Sequence, residues 1–175
     1  DKIDLAIIAP DGREAMIQHA QECFSKQIPF IFDPGQGLPM FDKNELLTFV
    51  EQASYIAVND YEAKLLQDKI SMTANEIASK VIALIITKGA HGSEIYADNK
   101  IYQIAPIKTS KLLDPTGCGD AFRSGLIYGI SAGWEWSKIG KLGSVMGAIK
   151  IGYEGGQNHR PTISEIETLF GEKLY

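Results

Sequence analysis

The residues whose types and spacing could do chemistry are concentrated in Asp114-Pro-Thr-Gly-Cys-Gly-Asp120, which runs straight into Ala121-Phe-Arg-Ser-Gly-Leu-Ile-Tyr-Gly-Ile130. Gly117 and Gly119 can take positive φ and have no side chains. Successive backbone N–H groups can therefore converge at the start of a helix, where the aligned peptide dipoles add partial positive charge. Such a point holds an anion. Asp120, in the first turn, would stand beside that anion; if the anion is a phosphoryl group in transfer, its carboxylate can accept the proton of an attacking hydroxyl. The same letters also spell a turn with a capping residue before an apolar run, and spacing alone does not separate the two readings. No Gly-Lys-Ser/Thr follows, as a Walker-type phosphate loop requires. No Gly-x-Gly-x-x-Gly follows the first strand, which disfavours a Rossmann-type oxidoreductase.

Three further groups invite a site reading. In Asn59-Asp-Tyr-Glu62 the amide and the carboxylate lie three apart at a helix start and so share a face, although Asn59 or Asp60 as cap with Glu62 in the first turn explains the pattern equally well. Asp33 precedes Pro34 at the C-terminal end of a short strand, the end where open α/β sheets bind ligands, and it also suits a turn. Thr87-Lys-Gly-Ala-His-Gly92 is a glycine turn after the most apolar strand candidate; His91 has no partner spacing and reads as an exposed loop residue.

These residues need a scaffold of alternating short strands and helices. Strands are expected at 5–9, 29–33, 55–58 and 83–87, with 93–97 and 100–104 flanking Asp98-Asn99 as a tight hairpin. Helices are expected from a capping-box-like Asp11/Glu14 start, with Met16, Ala20, Cys23 and Phe24 on one face. Others run over 42–52, from Asn59, over 73–81, over 120–132, through the small residues Gly140, Gly143, Ser144, Gly147 and Ala148, and over 163–170. That stripe permits close approach, either of another helix or of an adenine ring. Trp134 and Trp136 read as packing residues. The alternation predicts an α/β fold: a mostly parallel twisted sheet with right-handed crossovers, helices on both faces and one β-hairpin.

Composition sets the outer bounds. The chain has 175 residues, 45% hydrophobic and 22% charged, with a net charge of −5, the balance of one globular domain and not of a nucleic-acid or membrane-surface binder. Cys23 and Cys118 give no metal spacing; Cys23 reads as core and Cys118 as loop. With no apolar run of spanning length and no signal-peptide pattern, the expectation is a cytoplasmic protein.

Asp114-Pro-Thr-Gly-Cys-Gly-Asp-Ala-Phe-Arg-Ser-Gly125 resembles the C-terminal signature of the ribokinase-like (PfkB) family of sugar and nucleoside kinases, and Ala-Phe-Arg after Asp120 is similar to microbial adenosine-kinase-like members. The resemblance implies a Rossmann-like three-layer fold in which Asp120 is the catalytic base and the N–H groups of Gly117, Cys118 and Gly119 form the anion hole. It assigns Asn59 and Glu62 to magnesium and phosphate, with Glu62 reaching Mg²⁺ through water, and Thr87, Gly89, Gly92 and Gly155 to the nucleotide; Gly143 and Ser144 of the small-residue stripe are nucleotide candidates from their size alone. It also implies that the loop over 152–161 supplies carbonyls to a monovalent cation such as K⁺, with Asp114 and Thr116 as further candidate ligands. Gln157-Asn-His159 departs from the small polar residues that ribokinases carry there, which puts that cation site in question. The cofactors implied are ATP and Mg²⁺; the partner is a sugar or nucleoside acceptor, with a homodimer left open. Asp1-Lys-Ile-Asp4 leads at once into an apolar strand. Residues 1–175 are therefore expected to form a single α/β domain, the C-terminal nucleotide-binding and catalytic portion of a larger kinase, with the N-terminal part of the fold, a lid and much of the acceptor pocket absent. The alternatives are a noncatalytic nucleotide-binding module or an inactive fragment.

Overall fold

The structure is a computed structural model and describes residues 2–175. Two compact units divide the chain: the first runs to Lys88 and takes in Glu94–Tyr102, and the second comprises Gly89–Ser93 and Gln103–Tyr175.

The first unit carries most of the sheet. Strands β1 (Ala6–Ile8), β2 (Phe30–Phe32), β3 (Tyr55–Asn59), β4 (Ala83–Thr87), β5 (Ser93–Ala97) and β6 (Lys100–Ile104) lie side by side in chain order. The first four pair in parallel, with Ala6 opposite Phe30, Ile31 opposite Tyr55 and Asn59 opposite Thr87. β2 and β4 are buried along almost their whole length, the continuous apolar runs that covered parallel strands require. β5 and β6 form the expected hairpin: Asp98 and Asn99 both take positive φ (52° and 57°), as a two-residue type I′ turn demands.

Helices α1 (Arg13–Ser25), α2 (Lys43–Gln52), α3 (Asp60–Ile70) and α4 (Ala74–Ala78) belong to this unit, α1 packing on α2 and α2 on α3. The core joins Phe30, Phe32, Phe41, Phe49, Leu46, Leu66 and Ile86; Phe32 stacks on Phe49 with ring centroids 4.2 Å apart, and Phe41 meets Phe49 edge-on at 5.0 Å.

Local expectations needed revision in three places. The α1 start is not a capping box: Gly12 is its N-cap with no side-chain bond, and its N–H donates to Asp11 Oδ1 at 2.7 Å. Glu14 falls one position too early to reach back and pairs with Arg13, which also meets Glu45 of α2. Met16 and Ala20 are buried as expected, but Phe24 is exposed, because at about 100° per residue it lies roughly 80° round the helix from Met16. α4 is only five residues long, ending before Ser79.

In the second unit α5 (Cys118–Ser131), α6 (Trp136–Lys150) and α7 (Ile163–Phe170) pack in sequence, α5 against α6 and α6 against α7. Leu142, Val145 and Phe170 form the core, and Trp134 stacks on Phe170 at 5.7 Å and meets Tyr128 edge-on at 5.3 Å. The packing role read for Trp134 is thus what the structure shows.

Candidate active site

The second unit holds the glycine loop. Gly117 is the N-cap of α5 in the left-handed conformation, φ 79° and ψ 4°, and no side chain caps the helix. A β-carbon at Gly117 would lie 2.8 Å from the carbonyl oxygen of Gly156, so backbone packing as well as φ requires glycine here. The first intrahelical bond runs from Ala121 N–H to the Gly117 carbonyl, 2.9 Å. Of the three N–H groups expected to hold an anion, that of Cys118 donates to the Pro115 carbonyl at 3.1 Å; those of Gly117 and Gly119 have no partner among the described residues. Asp120, the third residue of α5, has an exposed carboxylate engaged in no hydrogen bond or ion pair among the described residues. The start of this helix therefore offers open donors and an unengaged base side by side.

Asp114 fastens the loop. Its Oδ1 accepts from the Thr116 N–H at 2.8 Å and its Oδ2 from the Gly155 N–H at 2.7 Å, tying the segment before α5 to the one after α6. Those bonds, first Thr116 and then Gly155, with the nearby Lys150 ammonium adding a smaller share, hold the Asp114 carboxyl down at about 2. Cys118 is half-buried, and burial pushes its thiol up, away from a reactive thiolate. A residue that sequence reasoning missed completes the knot: Lys150 donates to the carbonyls of Asp114 and Tyr153, 3.0 Å each. The signal was its register, seven residues after Gly143 on the buried stripe of α6.

Gly143 of α6 faces α5. A β-carbon on Gly125 would sit 2.7 Å from Gly143 N, one on Gly129 would sit 2.8 Å from Ile139 Cγ1, and one on Gly143 would press on the Phe122 ring at 3.0 Å. Close helix packing accounts for these glycines. Ser144 is half-buried beside them.

In the first unit Asn59 ends β3 and caps α3. Its Oδ1 accepts from Glu62 N–H at 2.8 Å, and Glu62 Oε2 accepts from Asn59 N–H at 2.9 Å, a complete capping box. Asp42/Glu45, Thr73/Glu76 and Thr162/Glu165 close α2, α4 and α7 in the same way. Glu62 Oε1 has no hydrogen bond among the described residues, so this half-buried carboxylate fits a hydrated Mg²⁺, which keeps several waters and needs one or two carboxylates. No three His, Cys, Asp or Glu residues are grouped to form a protein-only cage among the described residues.

Thr87 ends β4 with its hydroxyl 3.5 Å from the Val58 carbonyl. The turn after it is a 3-10 turn over Gly89–His91, with His91 exposed as expected. Gly89 takes φ 55° in open space, whereas a β-carbon on Gly92, φ 86°, would fall 2.0 Å from the Ile104 carbonyl oxygen. Gly92 is therefore fixed by the chain passing over it. Asp33 is buried at the end of β2, its N–H donating to the Ile8 carbonyl at 2.9 Å.

Comparisons with known proteins bear on this geometry. A nucleoside kinase of Methanocaldococcus jannaschii is 30% identical over 163 residues, covering 93% of this chain and 54% of that protein. A ribokinase of Lactococcus lactis is 26% identical over 91% of this chain and 51% of its own length. The structure of a Burkholderia thailandensis nucleoside kinase in complex with inosine superposes with a TM-score of 0.96 at 51% identity, covering 99% of this chain and 58% of that one. The chain spans about half the length of the relatives it matches. Its α/β fold, with a mostly parallel six-stranded sheet, is ribokinase-like. Among the described residues no helix is long and apolar enough to cross a membrane. The model of the pfkB family of carbohydrate kinases matches residues 3–163, and the chain belongs to that family.

Proposed function

We propose that this chain is the nucleotide-binding and catalytic portion of an ATP-dependent kinase that moves a γ-phosphoryl group to a hydroxyl of a nucleoside. The observation that carries the reading is the start of α5, where the unengaged Asp120 carboxylate adjoins N–H groups left open by a left-handed Gly117. Relatives named as nucleoside kinases, one of them in complex with inosine and with ADP-inosine, favour a purine nucleoside over a free sugar.

In this reading Asp120 accepts the proton of the acceptor hydroxyl as it attacks. The N–H groups of Gly117 and Gly119 hold the developing negative charge, and that of Cys118 joins them on giving up the Pro115 carbonyl. ATP, when bound, would supply the phosphoryl group, and Mg²⁺ would offset the charge on its oxygens. Glu62 would hold a hydrated Mg²⁺ through its unengaged oxygen, while the Asn59 N–H fixes the carboxylate's other oxygen. Thr87, Gly89, Gly92 and Gly155 offer backbone to the nucleotide. Of the two α6 candidates, Ser144 keeps surface for a ligand, whereas Gly143 is buried against Phe122.

Asp120→Asn tests the reading, because the amide keeps the shape and cannot take the proton. A fall in kcat of ~10²-fold or more is expected in the kinase containing this chain, with nucleotide affinity changed far less. The assay is coupled ADP release over a panel of inosine, adenosine, ribose and fructose phosphate. A rate within a few-fold of wild type would remove Asp120 from the chemistry, and turnover with sugars alone would remove the nucleoside.

A further inference from the structure

Lys150, the last residue of α6, is wholly buried, with 0% of its surface exposed. It forms no ion pair with a carboxylate among the described residues. Its ammonium instead donates to two main-chain oxygens, Asp114 O and Tyr153 O, each at 3.0 Å. One belongs to the loop that leads into α5, the other to the loop that leaves α6, and Asp114 Oδ2 clasps the same second loop through the Gly155 N–H. Burying an ammonium is unfavourable unless its donors are met, and here two carbonyl oxygens at the negative end of a helix dipole meet two of its three. Such oxygens are also the ligands that a hard monovalent metal ion takes. The K⁺ expected near Asp114 and Thr116 therefore does not fit these residues. The Asp114 carbonyl is already engaged, both carboxylate oxygens of Asp114 accept N–H groups, and a second cation would be repelled at short range.

We propose that the Lys150 ammonium is the resident cation of this carbonyl-lined position, so that the loop opening α5 is ordered without a monovalent metal ion. The inference takes from the kinase reading only the expectation of such an ion. Its readout is stability, so it stands or falls separately from the activity.

The test is thermal unfolding of the protein in potassium, sodium, ammonium and choline chlorides at one ionic strength. Wild type should show the same Tm in all four. Lys150→Met should lose stability and gain a cation response, with ammonium and potassium raising its Tm in a saturable way relative to choline, as a ligand of the native state does. If Lys150→Met is unfolded in choline chloride, ammonium or potassium chloride should restore the folded signal. A saturable, potassium-specific rise in wild type would overturn the proposal. So would a Lys150→Met variant, folded or unfolded, that responds identically to every salt.

Discussion

Helices α3 and α5 carry the two motifs that stand out in the sequence, yet they begin in opposite ways. At α3 the first turn is sealed by its own side chains, Asn59 and Glu62 each accepting the other's N–H. At α5 the cap is a left-handed glycine with no side chain, and the acidic residue of the first turn reaches back to nothing. α1 and α6 also begin without a side-chain cap, but their caps, Gly12 and Glu135, keep ordinary φ values of −57° and −70°. A closed box spends its donors on the fold, and the chain repeats the device at α2, α4 and α7. An open start bent by positive φ keeps its donors for something else. The same pattern of a cap followed by a carboxylate thus serves stability in one place and is available for chemistry in the other.

Beyond Asp120→Asn, the sharpest way to break this comparison is at the bend itself. Gly117→Ala combines positive φ with a clash against the Gly156 carbonyl and should cost about 1–3 kcal/mol. Gly119→Ala needs no positive φ and meets a side chain, the Arg123 guanidinium at 2.6 Å, in place of backbone, so it should cost less. Urea unfolding of the two variants side by side measures this, and equal losses would show that the Gly156 contact does not set the start of α5.

A smaller effect separates the α3 box from its siblings. Asn59→Ala should cost about 1 kcal/mol, as should Thr73→Ala and Thr162→Ala, because each removes one cap. Glu62→Gln should also raise the Mg²⁺ concentration needed for half-maximal rate, while Glu76→Gln and Glu165→Gln leave it unchanged. Identical Mg²⁺ profiles for all three would return Glu62 to a purely structural role.

The smallest effect belongs to Asp114. Its carboxyl is held at about 2 in the folded protein against an ordinary 3.8, so the ionised form stabilises the fold. That contribution is fully present above 3.8 and is lost as pH falls from 3.8 towards about 2. The stability gap between wild type and Asp114→Asn, followed by urea midpoint down the acid limb, should narrow across that window. A gap independent of pH would mean that the carboxylate charge is not what fastens the loop.

Much of the fold was legible because its signals are short. The Asp98-Asn99 hairpin follows from two residues that tolerate positive φ, and the apolar run Ala83–Ile86 follows from burial on both sides of a parallel strand. The capped starts at Asp42 and Thr73 are four-residue patterns. The miss at Asp11 was a slip of one position in such a pattern. Phe24 was lost because hydrophobicity marks a stripe without fixing its edge. The small residues of α6 could be read as a bed for a ring or for a helix, and at Gly143 only the tertiary structure shows the neighbour to be a helix, with Phe122 and Gly125 of α5 against it.

By itself the sequence determined the glycine turn of α5, the placement of Asp120 in its first turn, and the pairing of Asn59 with Glu62. All of these span seven residues or fewer, where covalent spacing and backbone sterics leave few choices. Tertiary structure alone decided that Gly117 abuts Gly156, that Asp114 clasps Gly155, and that Lys150 turns inward to the carbonyls of Asp114 and Tyr153. Two of those contacts join residues 36 and 41 positions apart. Their partners are backbone atoms, which carry no residue letter; what brings them together is the packing of α5 on α6 that returns the chain to the glycine loop.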